Sequence, residues 1–423
     1  MSKSSNRRKD ILWNSFGGGI VAFQSAILLF FAARLYGHDT AGVISIAYAL
    51  AVFIYTIGRY GMRAYQSTDV THRYSFGEYL KSRYISLFIA IVILLAYLVF
   101  SLFLNGYSIE KATIIFEIVF LRLINAFEDV FCGHLQKMDR FLEGAKIMAL
   151  REGITLCVIL VLMILKQKLI IVFLIGILTS IVLECFLLGR IKHSFTDYGG
   201  DIINTITLLK ECFPLAFGTA FAVYLSNVPK YVTDWYLDDS MQAIVGYLIL
   251  PVFTIALLNQ FIYNPFIRDL GSLYHSGARK MFYKRVFKQT AIILLSTALI
   301  GLGTLFIGLP VLAYVYNADL NAYRVEFIIL LFGGCLYAIQ YYLTIPITVI
   351  KQQKKMLYGY IGVIIITTLL QKRMVNAMKL RGAALVYVIS NMVMALYLLL
   401  LLFFDNRDFC KSVHLEGSCL QPR

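Results

Sequence analysis

Apolar runs separated by short polar breaks fill the chain from residue 11 to residue 404. A helix needs roughly 20 predominantly apolar residues, at about 1.5 Å of rise each, to cross about 30 Å of hydrocarbon. Reading run against break predicts twelve such spans, at 11–35, 42–62, 83–104, 112–133, 147–165, 169–189, 213–235, 242–263, 288–312, 325–348, 357–371 and 382–404. The eleventh is short and stops at Gln371, Lys372 and Arg373. The pattern therefore predicts an all-α polytopic membrane protein with about 12 transmembrane helices.

The spans group into two sets of six. Residues 1–190 form the first bundle, 191–212 a polar cytoplasmic linker, 213–404 the second bundle and 405–423 a cytoplasmic tail. The first two spans meet at Ala41-Gly42-Val43, the seventh and eighth at Val245-Gly246-Tyr247. Each half then has a long basic loop, 63–83 and 266–288, and a fourth span with a basic exit. Same-direction repeats of this kind predict two pseudo-symmetric six-helix bundles facing a central cavity. The halves differ in proline: Pro214, Pro229, Pro251, Pro265, Pro310 and Pro346 all fall in or beside spans of the second, whereas the first carries Gly17-Gly18-Gly19. Such residues bend helices or let them pack closely.

Composition agrees. Of the 423 residues 59% are hydrophobic and 15% charged, against about 45–50% and about 25% in a soluble domain. The net charge of +15 has a topological explanation that makes nucleic acid an unnecessary partner. Of 39 Lys and Arg, 28 fall at the N-terminus, the even-numbered loops and the tail, and 9 on the other side; Arg122 and Lys230 lie within spans. The positive-inside rule then places both termini in the cytoplasm, with Lys372, Arg373, Lys379 and Arg381 as the exception. Residues 1–10 are polar and basic, and the run after them continues as a full span, so no cleaved leader is expected. Seven scattered cysteines lack metal-ligand spacing and predict neither a disulfide framework nor zinc.

Catalytic patterns are missing. There is no Walker lysine in a glycine-rich loop, no metal-spaced histidine pair and no nucleophile elbow. The six histidines all lie in loops or tails, and the predicted outer loops are short. An enzyme is not expected, and neither a metal nor a cofactor is.

Ionisable groups at membrane depth remain, and these cost several kcal/mol unless they meet a partner, a cavity or a substrate. At 100° per residue, Arg122, Asn125 and Asp129 of the fourth span share a face about 60° wide, with Glu117 and Glu128 on a second stripe. An internal ion-pair network and a cavity lining are both open readings. Lys230 and Asp234, four apart, can pair within the seventh span. Arg34 and Arg59 sit near span ends, where snorkelling is the alternative to a site role. Gln24, Gln260 and Gln340 could glue helices or bond sugar hydroxyls. Glu152 and Glu184 are expected to meet Arg151 and Arg190.

The segments ARLYGHDTAGVISIAYAL (32–50) and YTIGRYGMRAYQSTDV (55–70), with LRGAALVYVISN (380–391) before the last span, give the chain a family likeness. It resembles the polysaccharide-export flippases, the O-antigen and capsule repeat-unit translocases. Their superfamily also contains the multidrug/toxin extrusion (MATE) transporters. The resemblance implies a MATE-like pair of bundles around a cationic cavity, in the bacterial inner membrane. The implied cargo is an undecaprenyl-diphosphate-linked oligosaccharide on its way to lipopolysaccharide or capsule, flipped by alternating access. A polysaccharide polymerase and a chain-length regulator would be its partners beside the bilayer. By motif position Arg34 and Arg59 would meet the diphosphate, with Arg122 added from its place in the fourth span. Glu117, Glu128, Asp129, Lys230 and Asp234 would form the coupling network. Lipid II flippases carry further arginines in the first helix where this chain has Ala22 and Leu28, which speaks against lipid II as cargo. The rival readings are a cation-coupled drug antiporter, which would want an acidic cavity, and a membrane polymerase or ligase, which would want a long outer loop.

Overall fold

In the computed structural model the backbone is described for residues 2–69, 73–191, 195, 198–263 and 267–418; the side chains of 2–12, 14, 68, 256–263, 267, 268, 275 and 406–418 lie outside the described set. Everything described is helix or connection, with no strand. The helices are α1 Ser2–Leu35, α2 His38–Arg59, α3 Met62–Thr68, α4 Phe76–Leu104, α5 Ile109–Lys137, α6 Phe141–Ile164, α7 Leu169–Ile191 and α8 Ile202–Tyr236. They continue with α9 Asp239–Tyr263, α10 Ile267–His275, α11 Arg279–Gly303, α12 Leu309–Tyr316, α13 Arg324–Val349, α14 Gln353–Met378 and α15 Leu380–Ser418.

Twelve of these helices have 22 residues or more, one for each expected span, and α3, α10 and α12 are short additions. Among the described residues, ten segments are long and apolar enough to cross a bilayer. The two long helices outside that group are informative. Helix α5 carries Glu117, Arg122, Glu128 and Asp129, all buried, so its charges are spent inside the protein and its apolar content is low for a span. Helix α9 is described as an apolar segment only over Asp239–Ile255. Large side chains on the other helices face outward, such as Phe88, Val92 and Phe103 of α4, the last 84% exposed. Patches of this kind belong against lipid. The chain is a multi-pass membrane protein.

The eleventh expected span is longer than the sequence suggested. Helix α14 runs unbroken for 26 residues, with Lys372 and Arg373 exposed on its last turns. It stops at Lys379, in a positive-φ conformation, and Arg381 then pairs with buried Glu326 of α13 at 2.7 Å.

The chain divides into two compact units, one of Met1–Tyr224 with Leu237–Gly246, the other of Leu225–Tyr236 with Tyr247–Arg423. In the first, α5 packs against α2, α4, α6 and α7, which is why it can bury charge. The first turns of α9 close on α2 at two glycines: a Cβ on Gly42 would run into the Asp239 carbonyl, and one on Gly246 into Ser45. The turn before α4 is anchored by a capping box in which Ser75 and Glu78 satisfy each other's backbone N–H. Glu78 also accepts from the Asp201 N–H and the Asn204 amide, so α8 starts at Ile202, inside the stretch 191–212, docked on α4. Phe76, Phe131 and Phe195 stack beneath this junction. In the second unit α13 is the central helix, packed chiefly on α15. There α11 passes into α12 through a π-helical turn, Thr304–Gly308, just before Pro310.

Asp69, between α3 and α4, ties that loop to the end of α5. Partial burial would raise its pKa, but the backbone N–H groups of Arg73 and Tyr74 and the Lys137 ammonium, at 2.9, 3.3 and 3.1 Å, hold it below the ordinary carboxylate range. A depressed folded pKa adds stability that is complete above the unfolded value of about 3.9 and is lost as pH falls through the folded one. Asp69→Asn should therefore flatten the acid limb of a Tm-against-pH profile in detergent while lowering Tm at pH 7. Gly42→Val should cost about 1–3 kcal/mol by overpacking, read as a lower Tm with no rescue by pH.

Candidate functional site

The first unit holds two buried ion clusters, built on adjacent residues of α5. The first centres on Asp129, whose side chain is 4% exposed. Arg59 at the end of α2 places Nε 3.2 Å from Oδ2, Arg63 of α3 places Nη1 3.1 Å from Oδ1, and Arg83 of α4 places Nη2 3.1 Å from Oδ2. Arg83 is fully buried and also donates to the Gly58 carbonyl at 2.6 Å, where Ser86 donates as well at 2.7 Å. Arg63 donates further to Gln136 Oε1. Between α2 and α3, Tyr60 and Gly61 both take positive φ, and this sharp turn brings Arg59 and Arg63 onto the same carboxylate. Three guanidiniums on one carboxylate leave two positive charges over. Arg59 and Arg63 remain 37% and 28% exposed.

The second cluster has the opposite sign. Arg151 of α6 pairs with Glu128 of α5 at 2.5 Å, Glu152 of α6 at 3.1 Å and Glu184 of α7 at 3.0 Å. Its Nη1 donates to Asn125 and Ser180 at 3.1 and 2.9 Å. All four charged side chains are 5% exposed or less. Three carboxylates on one guanidinium leave two negative charges over.

Arg122 precedes Glu128 by six residues on α5 and belongs to neither cluster. It is buried, donates to the Val21 carbonyl of α1 at 3.1 Å and stands 5.5 Å from the Tyr48 ring centroid. It makes no ion pair among the described residues, and its Nε has no hydrogen-bond partner. A polar cavity opens beside it, of about 10 Å³ and lined by Gln24, Tyr48, Asn125, Glu152, Thr155 and Ser180 among others. That is room for about one water-sized guest. Gln24 Oε1 and Thr155 Oγ1 are likewise buried without a partner.

The expected site residues therefore distribute as follows. Arg59 and Asp129 meet directly; Asn125 and Glu128 share Arg151; Arg122 and Gln24 line the small cavity. Arg34 is exposed at the end of α1, over the Phe30 ring. Glu117 is buried and makes no ion pair among the described residues. In the second unit Gln340 is fully buried and donates to the Tyr360 hydroxyl at 2.9 Å. The side chain of Gln260 lies outside the described residues. Lys230 and Asp234 are both buried but do not close the expected pair: the Lys230 ammonium turns to α9, 5.6 Å from the Phe253 ring centroid. Glu184 meets Arg151 and not Arg190, because six residues put Glu184 and Arg190 about 120° apart on α7; Arg190 covers the Phe186 ring instead.

Arg63, Arg83, Arg151 and Gln136 complete the clusters without having been singled out as site residues. Arg83 and Arg151 fall at predicted span edges, where a basic residue reads as a topology signal. Their depth becomes visible only when the helices start earlier, as α4 and α6 do: Arg83 is seven residues, about two turns, from the start of α4 and Arg151 ten residues, about three turns, from the start of α6.

No protein-family description and no curated protein sequence matches the chain. Solved structures do match in fold. Lipid II flippase MurJ in an inward closed conformation superposes with a TM-score of 0.68 at 18% identity, over 92% of this chain and 87% of that one. A MATE transporter in a bent conformation gives 0.56 at 14% identity, over 96% of each chain. A MOP-superfamily transporter from Pyrococcus furiosus, described as having a binding pocket of reversed polarity, gives 0.52 at 15% identity over 94% and 92%. The fold is thus the MATE-like, all-α fold of the MOP-superfamily transporters, and these structural neighbours are transporters and flippases rather than enzymes.

Removing one partner of a buried ion pair costs about 3–5 kcal/mol because the survivor is left uncompensated. Asp129→Asn strips from three arginines the one carboxylate they share among the described residues and should lose at least that much, seen as a large drop in folded yield. Glu184→Gln removes surplus negative charge from its cluster and should be tolerated, with a Tm within a few degrees of the parent in the same detergent.

Proposed function

We propose that this protein is a flippase that moves an undecaprenyl-diphosphate-linked oligosaccharide across the bacterial cytoplasmic membrane, by alternating access, for surface polysaccharide synthesis. The observation that carries the reading is the pair of uncompensated cationic features in the first unit: the arginine surplus on Asp129 and the unpaired Arg122. A diphosphate cannot enter hydrocarbon alone, and guanidinium suits it because the planar fork gives bidentate, charge-assisted hydrogen bonds. Arg59 and Arg63 are partly exposed and so can exchange a carboxylate for a phosphate; Arg83 is sealed and serves to hold Asp129. Gln24 and Asn125, which line the small cavity, are the amides placed nearest the arginines for sugar hydroxyls, whereas Gln340 is fully buried on Tyr360 in the second unit. The likeness to MurJ, whose described substrate is lipid II, supports a lipid-linked cargo. The absence of first-helix arginines at Ala22 and Leu28 favours an oligosaccharide other than lipid II. The distribution of Lys and Arg supports cytoplasmic termini, and a polymerase and chain-length regulator are the natural partners downstream.

A second reading, a cation-coupled drug antiporter, draws on the carboxylate surplus around Arg151. Within the flippase reading the same three glutamates, with Glu117, Lys230 and Asp234, supply the groups for ion coupling.

Cells lacking the protein should accumulate lipid-linked repeat units on the cytoplasmic leaflet and lose surface polysaccharide. Arg122→Met should fail to restore export, by about tenfold or more, whereas Arg122→Lys should restore part of it. Normal surface polysaccharide in the deletion strain, together with a raised sensitivity to cationic drugs, would transfer the assignment to the antiporter.

A further inference from the structure

The first unit also contains an apolar groove that the ion clusters do not use. Helices α4, α5 and α7 line it, with Leu87, Ile91, Phe120, Leu123 and Ile181 among its walls and Cys185 also on its surface. Its volume is about 240 Å³. A cavity of about 150 Å³ accepts benzene, so this one holds roughly ten carbons, or two isoprene units. Glu184 is its single charged neighbour, and that carboxylate is engaged with Arg151.

Position gives the groove its meaning. Leu87 is one turn beyond Arg83 on α4, and Leu123 is six residues before Asp129 on α5. Both leucines close over Gly58, where an added Cβ would lie 3.3 and 3.2 Å from their terminal methyls. The Gly58 carbonyl is the one held by Arg83 and Ser86, and the next residue is Arg59. The apolar channel therefore ends against the backbone that carries the arginine cluster. An anionic head and an apolar tail joined together fit this sequence of environments.

Resting on the flippase reading, we propose that this groove receives the first isoprene units of the cargo's polyprenyl chain while Arg59 and Arg63 hold its diphosphate. The choice of a polyprenyl diphosphate over a membrane phospholipid follows from charge. Three arginines on one aspartate leave a surplus of two, which matches the double charge of a diphosphate diester; a phospholipid phosphodiester carries one. Chain burial adds affinity in proportion to apolar area removed from water, so the groove also orients the cargo, tail toward lipid and sugar away from it.

The test uses the purified full chain in detergent with three probes: methyl diphosphate, geranyl diphosphate and phosphatidylglycerol. Geranyl diphosphate should bind at least about tenfold tighter than methyl diphosphate. Filling the groove with Ile181→Trp or Ile91→Trp should reduce that gain below about threefold and leave methyl diphosphate binding as it was. A second measurement needs no variant: geranyl diphosphate should slow maleimide modification of the exposed Cys185 and not that of exposed Cys157. Failure of every diphosphate to bind overturns the flippase reading and this proposal with it. Binding of methyl diphosphate with no gain from the chain, or a gain that survives both tryptophans with Cys185 unprotected, overturns the groove alone. Equal protection of Cys185 by phosphatidylglycerol overturns the commitment to a polyprenyl diphosphate.

Discussion

Asp129 is the point on which the first unit turns. One carboxylate, almost sealed from solvent, collects guanidiniums from three separate helices and so fixes where α2 ends, how α3 leaves it and how α4 crosses α5. Arg83 is sealed and Arg59 and Arg63 are only partly exposed, so the positions of all three are set by the acid they share. The tight turn at Tyr60 and Gly61 and the buried Gly58 carbonyl are arranged around the same requirement. What looks like a local ion pair is the joint between four helices.

The two clusters differ in what they leave open. Around Asp129 the surplus is cationic and part of it reaches the surface through Arg59 and Arg63, so exchange with an incoming anion is available. Around Arg151 the surplus is anionic and enclosed, which suits taking up a small cation and not binding a bulky one. Arg122 joins neither cluster, but its small cavity opens onto the second, sharing Asn125, Arg151, Glu152 and Ser180 with it, and holds an arginine nitrogen, a glutamine oxygen and a threonine hydroxyl that meet no protein partner. Buried polar atoms left unmatched are costly, and the first unit holds others besides these three, among them Ser45 Oγ and both amide atoms of Gln66.

Much of this was legible in the residues alone. Twelve apolar runs became twelve long helices, because hydrocarbon thickness sets helix length with little room for alternatives. The helical face bearing Arg122 and Asp129 was visible from periodicity, and so was the separate stripe with Glu128. Partnerships were harder. Lys230 and Asp234 have ideal spacing yet part company, since the lysine finds an aromatic face on the neighbouring helix. Arg83 was hidden by its position at a span edge, where the statistics of loop charge and the chemistry of a buried site look the same. The eleventh span looks short in sequence because Lys372 and Arg373 interrupt its apolar run, although exposed basic residues do not stop a helix.

The paired clusters have an electrical consequence. Glu128 and Asp129 are neighbours on α5, separated by about 1.5 Å along the axis and about 100° around it, and their clusters carry opposite surpluses of equal size. Counted as ionised, the two clusters carry no net charge together, and their opposite surpluses form a dipole lying mostly across the axis of α5. Displacing such an arrangement along the membrane normal does almost no work against a transmembrane potential, which acts on net charge at about 2.3 kcal/mol per unit charge per 100 mV. As far as these eight side chains are concerned, this bundle can move in an energised membrane without feeling the voltage.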